Sequence, residues 1–167
     1  GLAARSPVRV VLDPALRLPA TSRLVRSAPE VPLWVMAGPD AMAAAEVRLR
    51  EAGVEVLRVP VADAVPGLDL AAVLAVLAGR GITRLMVEGG PQVAAGLVRA
   101  DLVDAAVLIH GAVIIGPDGI DPLADLPLAA LTGSSSGLVQ HDSETLGPDR
   151  LVRYERHIAD PLDGPAA

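Results

Sequence analysis

The stretch from Thr83 to Gly96, which reads TRLMVEGGPQVAAG, limits the possible folds more than any other part of the sequence. It begins with a short apolar run, Arg84–Val87, of the kind that forms a buried strand. An acid and two glycines break this run. Pro91 then stands where a helix can begin without the loss of a hydrogen bond. The stretch therefore predicts a strand, a tight turn and the start of a helix.

The same turn is a candidate binding site. It would aim backbone N–H groups and the positive end of a helix beyond the edge of the sheet, an arrangement that suits a phosphate. Glu88 follows the predicted strand directly, and ligands bind at that end of strands in open α/β sheets. A second interpretation stays open, because Gly-Gly-Pro is also an ordinary turn and Glu88 could cap the helix. The spacing is not that of the G-x-G-x-x-G fingerprint.

Predicted strands alternate with predicted helices as far as Ala100, which is typical of an α/β fold with parallel strands. Asp69 is expected to cap a helix that ends near Ala78. The strands expected to be parallel are Val8–Leu12, Leu33–Ala37, Val54–Val59 and Arg84–Val87.

After Ala100 the pattern changes to strands. Ala105–Ile115 is one long apolar run, and Val139–Asp142 with Leu151–His157 predicts a closing antiparallel hairpin. The expected sheet is therefore mixed and mostly parallel. The apolar run is longer than one small core requires, which favours a homodimer.

Length and composition exclude several classes of protein. We expect residues 1–167 to form one domain with a frayed tail at 159–167. The chain has no cysteine, and neither a signal peptide nor a membrane-spanning run is visible, which together predict a cytoplasmic protein without membrane contact. The net charge is −6 and the arginines are scattered, which argues against nucleic-acid binding. The histidines are too far apart in sequence to indicate a metal site: His110, His141 and His157.

Several motifs occur together in an order that resembles a known family. Arg9–Asp13 is followed by the sequence LRLP at 16–19, and Val87–Pro91, the sequence VEGGP, is followed by Leu102–Asp104. The loop entry at Ile114–Gly116 and the sequence LGPD at 146–149 complete the set. Over about residues 7–157 the chain resembles the reductase (C-terminal) domain of the bacterial bifunctional riboflavin-biosynthesis deaminase/reductase, whose fold is similar to dihydrofolate reductase.

The resemblance implies a three-layer α/β/α fold and an NADPH-dependent reductase. Its substrate would be 5-amino-6-(5-phosphoribosylamino)uracil, whose ribosyl group is reduced to ribityl. Glu88 would contact the substrate, and no catalytic residue is assigned. The residues implied to bind the cofactor are Pro14, Gly90, Pro91, Gln92, Val93, Ala94, Ala95 and Gly96.

The sequence departs from the family pattern in four places. The family's opening strand, with its Asp-Asp-Pro stretch, is not among these residues, and Pro14 stands where a serine is common. Gly111–Val113 lacks the lysine that often follows the long strand, and the deaminase motifs are absent. These departures leave open whether the chain turns over substrate alone, is a non-catalytic dimeric homologue, or reduces a pterin-like compound.

Overall fold

A computed structural model describes residues 6–62 and 67–156 of the chain. The chain divides into two compact units, with the boundary between Leu85 and Met86. That the two units form a single domain remains a prediction. The expected tail at 159–167 lies outside the described residues. Among the helices that the structure describes, none has both the length and the apolarity needed to cross a membrane.

The first unit contains a parallel sheet of three strands in the order β1-β2-β3. Its elements are β1 (Arg9–Leu12), α1 (Arg23–Arg26), β2 (Leu33–Ala37), α2 (Ala43–Glu51), β3 (Glu55–Arg58) and α3 (Leu70–Gly79). Val35 of β2 pairs with Val11 on one side and Val56 on the other. The parallel arrangement of the first three predicted strands is therefore confirmed.

The two faces of this sheet bury different helices, because side chains alternate along a strand. Leu33 and Val35 belong to a cluster with Leu49 of α2. Met36, on the opposite face, belongs to a cluster with Leu77 of α3. Burial on both faces explains why β2 is almost continuously apolar.

Local capping explains where two of the helices in this unit begin. The Asp69 carboxylate accepts a hydrogen bond of 3.0 Å from the N–H of Ala72, so the predicted cap of α3 is confirmed. The sequence pattern did not predict α1, where the Ser22 hydroxyl accepts from the N–H of Val25 at 3.3 Å. With only four residues, α1 is too short to show a helical period.

The second unit contains an antiparallel sheet of three strands in the order β4-β6-β5. Its elements are α4 (Pro91–Arg99), β4 (Ala105–His110), α5 (Ala129–Thr132), a short 3-10 helix (Ser134–Ser136), β5 (Leu138–Leu146) and β6 (Asp149–Arg156). The pairing of β5 with β6 confirms the predicted hairpin, although His157 lies outside the described residues. The chain therefore combines parallel and antiparallel pairing, as predicted, but in two separate sheets.

One face of the second sheet carries the core of its unit. Leu131 and Leu138 are buried there, and the partly buried side chains of Val98 in α4 and Leu108 in β4 pack against them. Val107 and Ile109 alternate with Leu108 and are exposed. This sheet therefore has one covered face and one apolar open face.

Two strand predictions are wrong in whole or in part. Arg84–Val87 forms no strand, and the side chain of Met86 is 81% exposed. An apolar run becomes a strand only when a neighbour pairs with its backbone. No described strand pairs with this segment, which crosses the boundary between the two units. The second prediction, a long strand that reaches Ile115, is wrong in part, because β4 ends at His110. Val113–Ile115 have no strand partner among the described residues, and their side chains are exposed.

Candidate functional site

The glycine turn before α4 has the backbone geometry of a helix start. Gly90 precedes the helix with φ −66° and ψ 177°, and its carbonyl accepts hydrogen bonds from Val93 at 3.1 Å and Ala94 at 3.2 Å. Pro91 is the first helical residue, as predicted. The N–H of Gln92 lies in the first turn, where no carbonyl within the helix can accept it. The turn therefore offers backbone donors at the positive end of a helix.

The two glycines of the turn serve different purposes. A Cβ on Gly89 would lie 3.3 Å from the Cβ of Val93, so packing against α4 favours glycine there. A Cβ on Gly90 would have no atom within 4 Å, and its backbone angles suit any residue. Packing among the described residues thus gives no reason for glycine at position 90. The open space is what a ligand that approaches the backbone would need.

The residues of α4 that were assigned to the cofactor differ in accessibility. Gln92 is exposed, and Pro91, Val93 and Gly96 are partly buried. Ala94 packs against the core of the second unit, and Ala95 is completely buried. The backbone of the first turn is therefore better placed than the alanine side chains to contact a ligand. The cofactor assignment of all these residues stays a prediction.

Glu88 is exposed just before the turn. The structure shows no side-chain hydrogen bond that caps α4, so the interpretation of Glu88 as a helix cap has no support. Nor does any described residue form an ion pair with its carboxylate. Glu88 is thus a carboxylate free to accept hydrogen bonds from a ligand, and its role with the substrate stays a prediction.

Pro14 lies in the first unit, two residues after the end of β1, at the carboxyl end of the parallel sheet. Its carbonyl accepts a hydrogen bond of 2.9 Å from the N–H of Gly38, which follows β2. Asp13 is buried, and its carboxylate accepts from the N–H of Leu18 at 2.7 Å. The turn after β1 is therefore held by its own carboxylate and by the loop after β2. The contact of Pro14 with a cofactor stays a prediction.

Sequence reasoning missed Arg58, the last residue of β3. Its guanidinium donates to the carbonyls of Gly38, Pro39 and Ala41 at 2.7, 2.7 and 2.9 Å. It also forms two hydrogen bonds with the carboxylate of Glu46 in α2, and this interaction holds the pKa of Glu46 below its ordinary value. Alternation along β3 offered the signal, because it places an arginine in line with buried Val54 and Val56.

The donors at the Gly90 turn fit a diphosphate better than a metal. Backbone N–H groups at a helix start bind anions. Across residues 6–62 and 67–156, no three His, Asp or Glu side chains come close enough together to hold a metal ion. The turn is therefore suited to a nucleotide cofactor that carries its own phosphates.

Comparisons with known proteins agree on one family. The family model described as the RibD C-terminal domain matches residues 2–150. The chain is 28% identical over 153 residues to the riboflavin biosynthesis protein RibD of Aquifex aeolicus, covering 92% of this chain and 40% of that protein. It is also 30% identical over 158 residues to the 2,5-diamino-6-ribosylamino-4(3H)-pyrimidinone 5′-phosphate reductase of Methanothermobacter thermautotrophicus. That match covers 89% of this chain and 66% of the reductase.

A solved structure shows the same fold. The pyrimidine reductase-like protein of Corynebacterium diphtheriae superposes with a TM-score of 0.70 at 21% identity, over 89% of this chain and 60% of that one. This chain thus spans less than two thirds of the length of each of these proteins.

Proposed function

This chain belongs to the RibD C-terminal domain family, and we propose that it is the reductase part of a riboflavin-biosynthesis enzyme. The reaction reduces the ribosyl group of 5-amino-6-(5-phosphoribosylamino)uracil to ribityl with NADPH. The observation that carries the proposal is the open space at Gly90, where a Cβ would meet no atom within 4 Å. The reductase name of one relative supports the same substrate class.

The first turn of α4 would hold the cofactor. The N–H groups of Gly90 and Gln92 would donate to the diphosphate, and the positive end of the nine-residue helix would stabilise its charge. Gly90 provides the close approach and Pro91 fixes the first helical residue. Pro14, in the turn after β1, is a further residue that we assign to cofactor binding. When bound, NADPH supplies the hydride.

Glu88 would anchor the substrate. In the ring-opened substrate, C1 of the ribose is doubly bonded to the amino nitrogen. Addition of a hydride to C1 and a proton to the nitrogen leaves the ribityl group. The exposed Glu88 carboxylate accepts hydrogen bonds from hydroxyl or N–H groups of the substrate and fixes C1 for this step.

Three further features complete the proposal. The whole protein has a three-layer, dihydrofolate-reductase-like fold, which the helices on both faces of the first sheet support. It acts in the cytoplasm on a small-molecule substrate. It forms a homodimer, which the exposed apolar side chains of Val107 and Ile109 support.

Titration of the 167-residue protein with NADPH and NADH tests the cofactor site directly. Gly90→Val should lower NADPH affinity by about tenfold, the equivalent of one lost charge-assisted hydrogen bond. Gly79→Val is the matched control, because a Cβ at Gly79 also meets nothing within 4 Å and no ligand is assigned to it. Equal affinities for the two variants would contradict the cofactor site at Gly90.

NADPH oxidation in the presence of the ribosylamino-pyrimidine phosphate tests the reaction. The expected result is oxidation that depends on this substrate and does not occur with a pterin. Binding of NADPH with no oxidation would favour a non-catalytic homologue. Oxidation with the pterin alone would overturn the substrate assignment.

A further inference from the structure

Arg58 has an unusual set of contacts for an arginine at the end of a short strand. Its five N–H donors make five hydrogen bonds, two with the Glu46 carboxylate and three with backbone carbonyls. The carbonyls belong to Gly38, Pro39 and Ala41, which form the loop from β2 to α2. One side chain therefore binds three of the four carbonyls of the loop 38–41.

Within the loop itself the backbone makes one hydrogen bond, of 3.3 Å, from the N–H of Ala41 to the carbonyl of Gly38. Met42 precedes α2 without a side-chain hydrogen bond to the helix. The Arg58 contacts with Pro39 and Ala41 are exposed, so water would satisfy these carbonyls if the arginine were absent. Loss of Arg58 should thus loosen the loop more than it destabilises the unit.

The loop is in turn locked to the turn after β1. The N–H of Gly38 donates to the Pro14 carbonyl at 2.9 Å, while the Gly38 carbonyl accepts from Arg58 at 2.7 Å. A Cβ on Gly38 would lie 3.0 Å from the Pro14 oxygen, so the two segments are in close contact. The first residue of the loop is therefore in direct contact with Pro14.

Glu46 secures the arginine from the helix side. Its carboxylate also pairs with Arg50 at 2.7 Å, and its side chain is 14% exposed. The position of Arg58 is therefore fixed by α2 as well as by β3, and the contact is confined to the first unit.

We propose that Arg58 is a positioning residue for the reductase, which acts through the loop 38–41 to hold the Pro14 turn in the geometry that the cofactor requires. The inference rests on the proposed function, which assigns Pro14 to the cofactor. It predicts that Arg58 affects the affinity for NADPH and the KM for NADPH, while kcat and the KM for the pyrimidine substrate change little.

The test compares Arg58→Met with Arg50→Met in the 167-residue protein. Both variants lose one positive charge and one ion pair with Glu46, but only Arg58 contacts the loop. We expect Arg58→Met to weaken NADPH binding by about tenfold, the equivalent of about one lost hydrogen bond to a charged group of the cofactor. Arg50→Met should stay within about twofold. Thermal unfolding of both variants monitors folding.

Arg58→Lys provides the second variant if Arg58→Met does not fold. A lysine keeps the charge but cannot reach three carbonyls with a planar fork, so it should recover only part of the NADPH affinity. Equal NADPH affinity in Arg58→Lys, Arg50→Met and the wild type would overturn the inference alone. So would an equal loss of affinity in both methionine variants. A wild-type protein that binds no NADPH would overturn the proposed function and this inference together.

Discussion

The turn after β1 and the turn before α4 were both assigned to the cofactor, but the structure builds them in opposite ways. The first is braced: the Asp13 carboxylate, the Pro14 carbonyl and the Gly38 N–H all have partners, and a Cβ on Gly38 would meet the Pro14 oxygen at 3.0 Å. The second is open, because Glu88 is exposed and a Cβ on Gly90 would meet nothing within 4 Å. Close packing therefore favours glycine at position 38, whereas packing among the described residues does not require glycine at position 90.

Substitution of valine for Gly38 and for Gly90 should show the difference between the two turns most clearly, as a difference in the free energy of unfolding. Gly38→Val forces a side chain against the Pro14 oxygen and should destabilise the protein by about 1–3 kcal/mol. Gly90→Val should cost less, about 0.5–1 kcal/mol, because its side chain enters open space and only the preference for glycine at the start of α4 is lost. Urea denaturation followed by circular dichroism measures both. Equal destabilisation would show that Gly90 is also required for packing.

The second largest effect is expected at Asp13. Asp13→Ala removes the acceptor for the Leu18 N–H and should cost about 1–3 kcal/mol. Arg17→Ala is the control, since Arg17 lies 3.9 Å from the other carboxylate oxygen and its side chain is 85% exposed. That change should cost less than about 0.5 kcal/mol. If the two variants unfold at the same urea concentration, the hydrogen bond to Leu18 is not what holds the turn.

The sequence predicted locally encoded features, such as the starts of two helices, and missed the long-range ones. Asp69 and Pro91 act on neighbouring residues, so capping rules predicted the starts of α3 and α4 correctly. The Arg58 brace joins β3 to a loop up to twenty residues earlier, and no spacing rule covers such a contact.

The prediction of a strand at Arg84–Val87 was wrong for a related reason. Its apolar composition is local, but a strand also needs a partner that the sequence does not specify, and none of the described strands pairs with it. Long-range pairing, rather than composition, decided the outcome.

Glu88→Gln is expected to have a smaller effect, limited to the substrate. The carboxylate has no hydrogen-bond partner among the described residues that the fold would lose, so the free energy of unfolding should change by less than about 0.5 kcal/mol. The KM for the ribosylamino-pyrimidine phosphate should rise by about tenfold, and NADPH affinity should not change. Steady-state kinetics, with the pyrimidine substrate and NADPH varied in turn, separates the effect on the substrate from the effect on the cofactor. A loss of NADPH affinity instead would indicate that Glu88 contacts the cofactor rather than the substrate.

The smallest effect concerns pH and the two carboxylates whose pKa is lowered. Hydrogen bonding from Arg58 lowers the pKa of Glu46, and hydrogen bonding from Arg99 lowers that of Asp125. A carboxyl group with a lowered pKa in the folded state stabilises the protein fully above its unfolded pKa, about 4 for these acids. That contribution is lost as the pH falls through the lower folded value.

Protonation of Glu46, which removes its ion pair with Arg58, should therefore destabilise the protein only in acid. Glu46→Gln should flatten the fall in the free energy of unfolding below about pH 4, because glutamine does not titrate. Asp125→Asn should change that slope less, since the Asp125 side chain is 77% exposed and solvent screens its pair with Arg99, whereas that of Glu46 is 14% exposed. Urea denaturation of both variants at a series of pH values from 3 to 7 makes the measurement. A larger change in slope for Asp125→Asn would mean that the Glu46 carboxylate contributes little to holding Arg58, and that the backbone carbonyls alone fix the arginine.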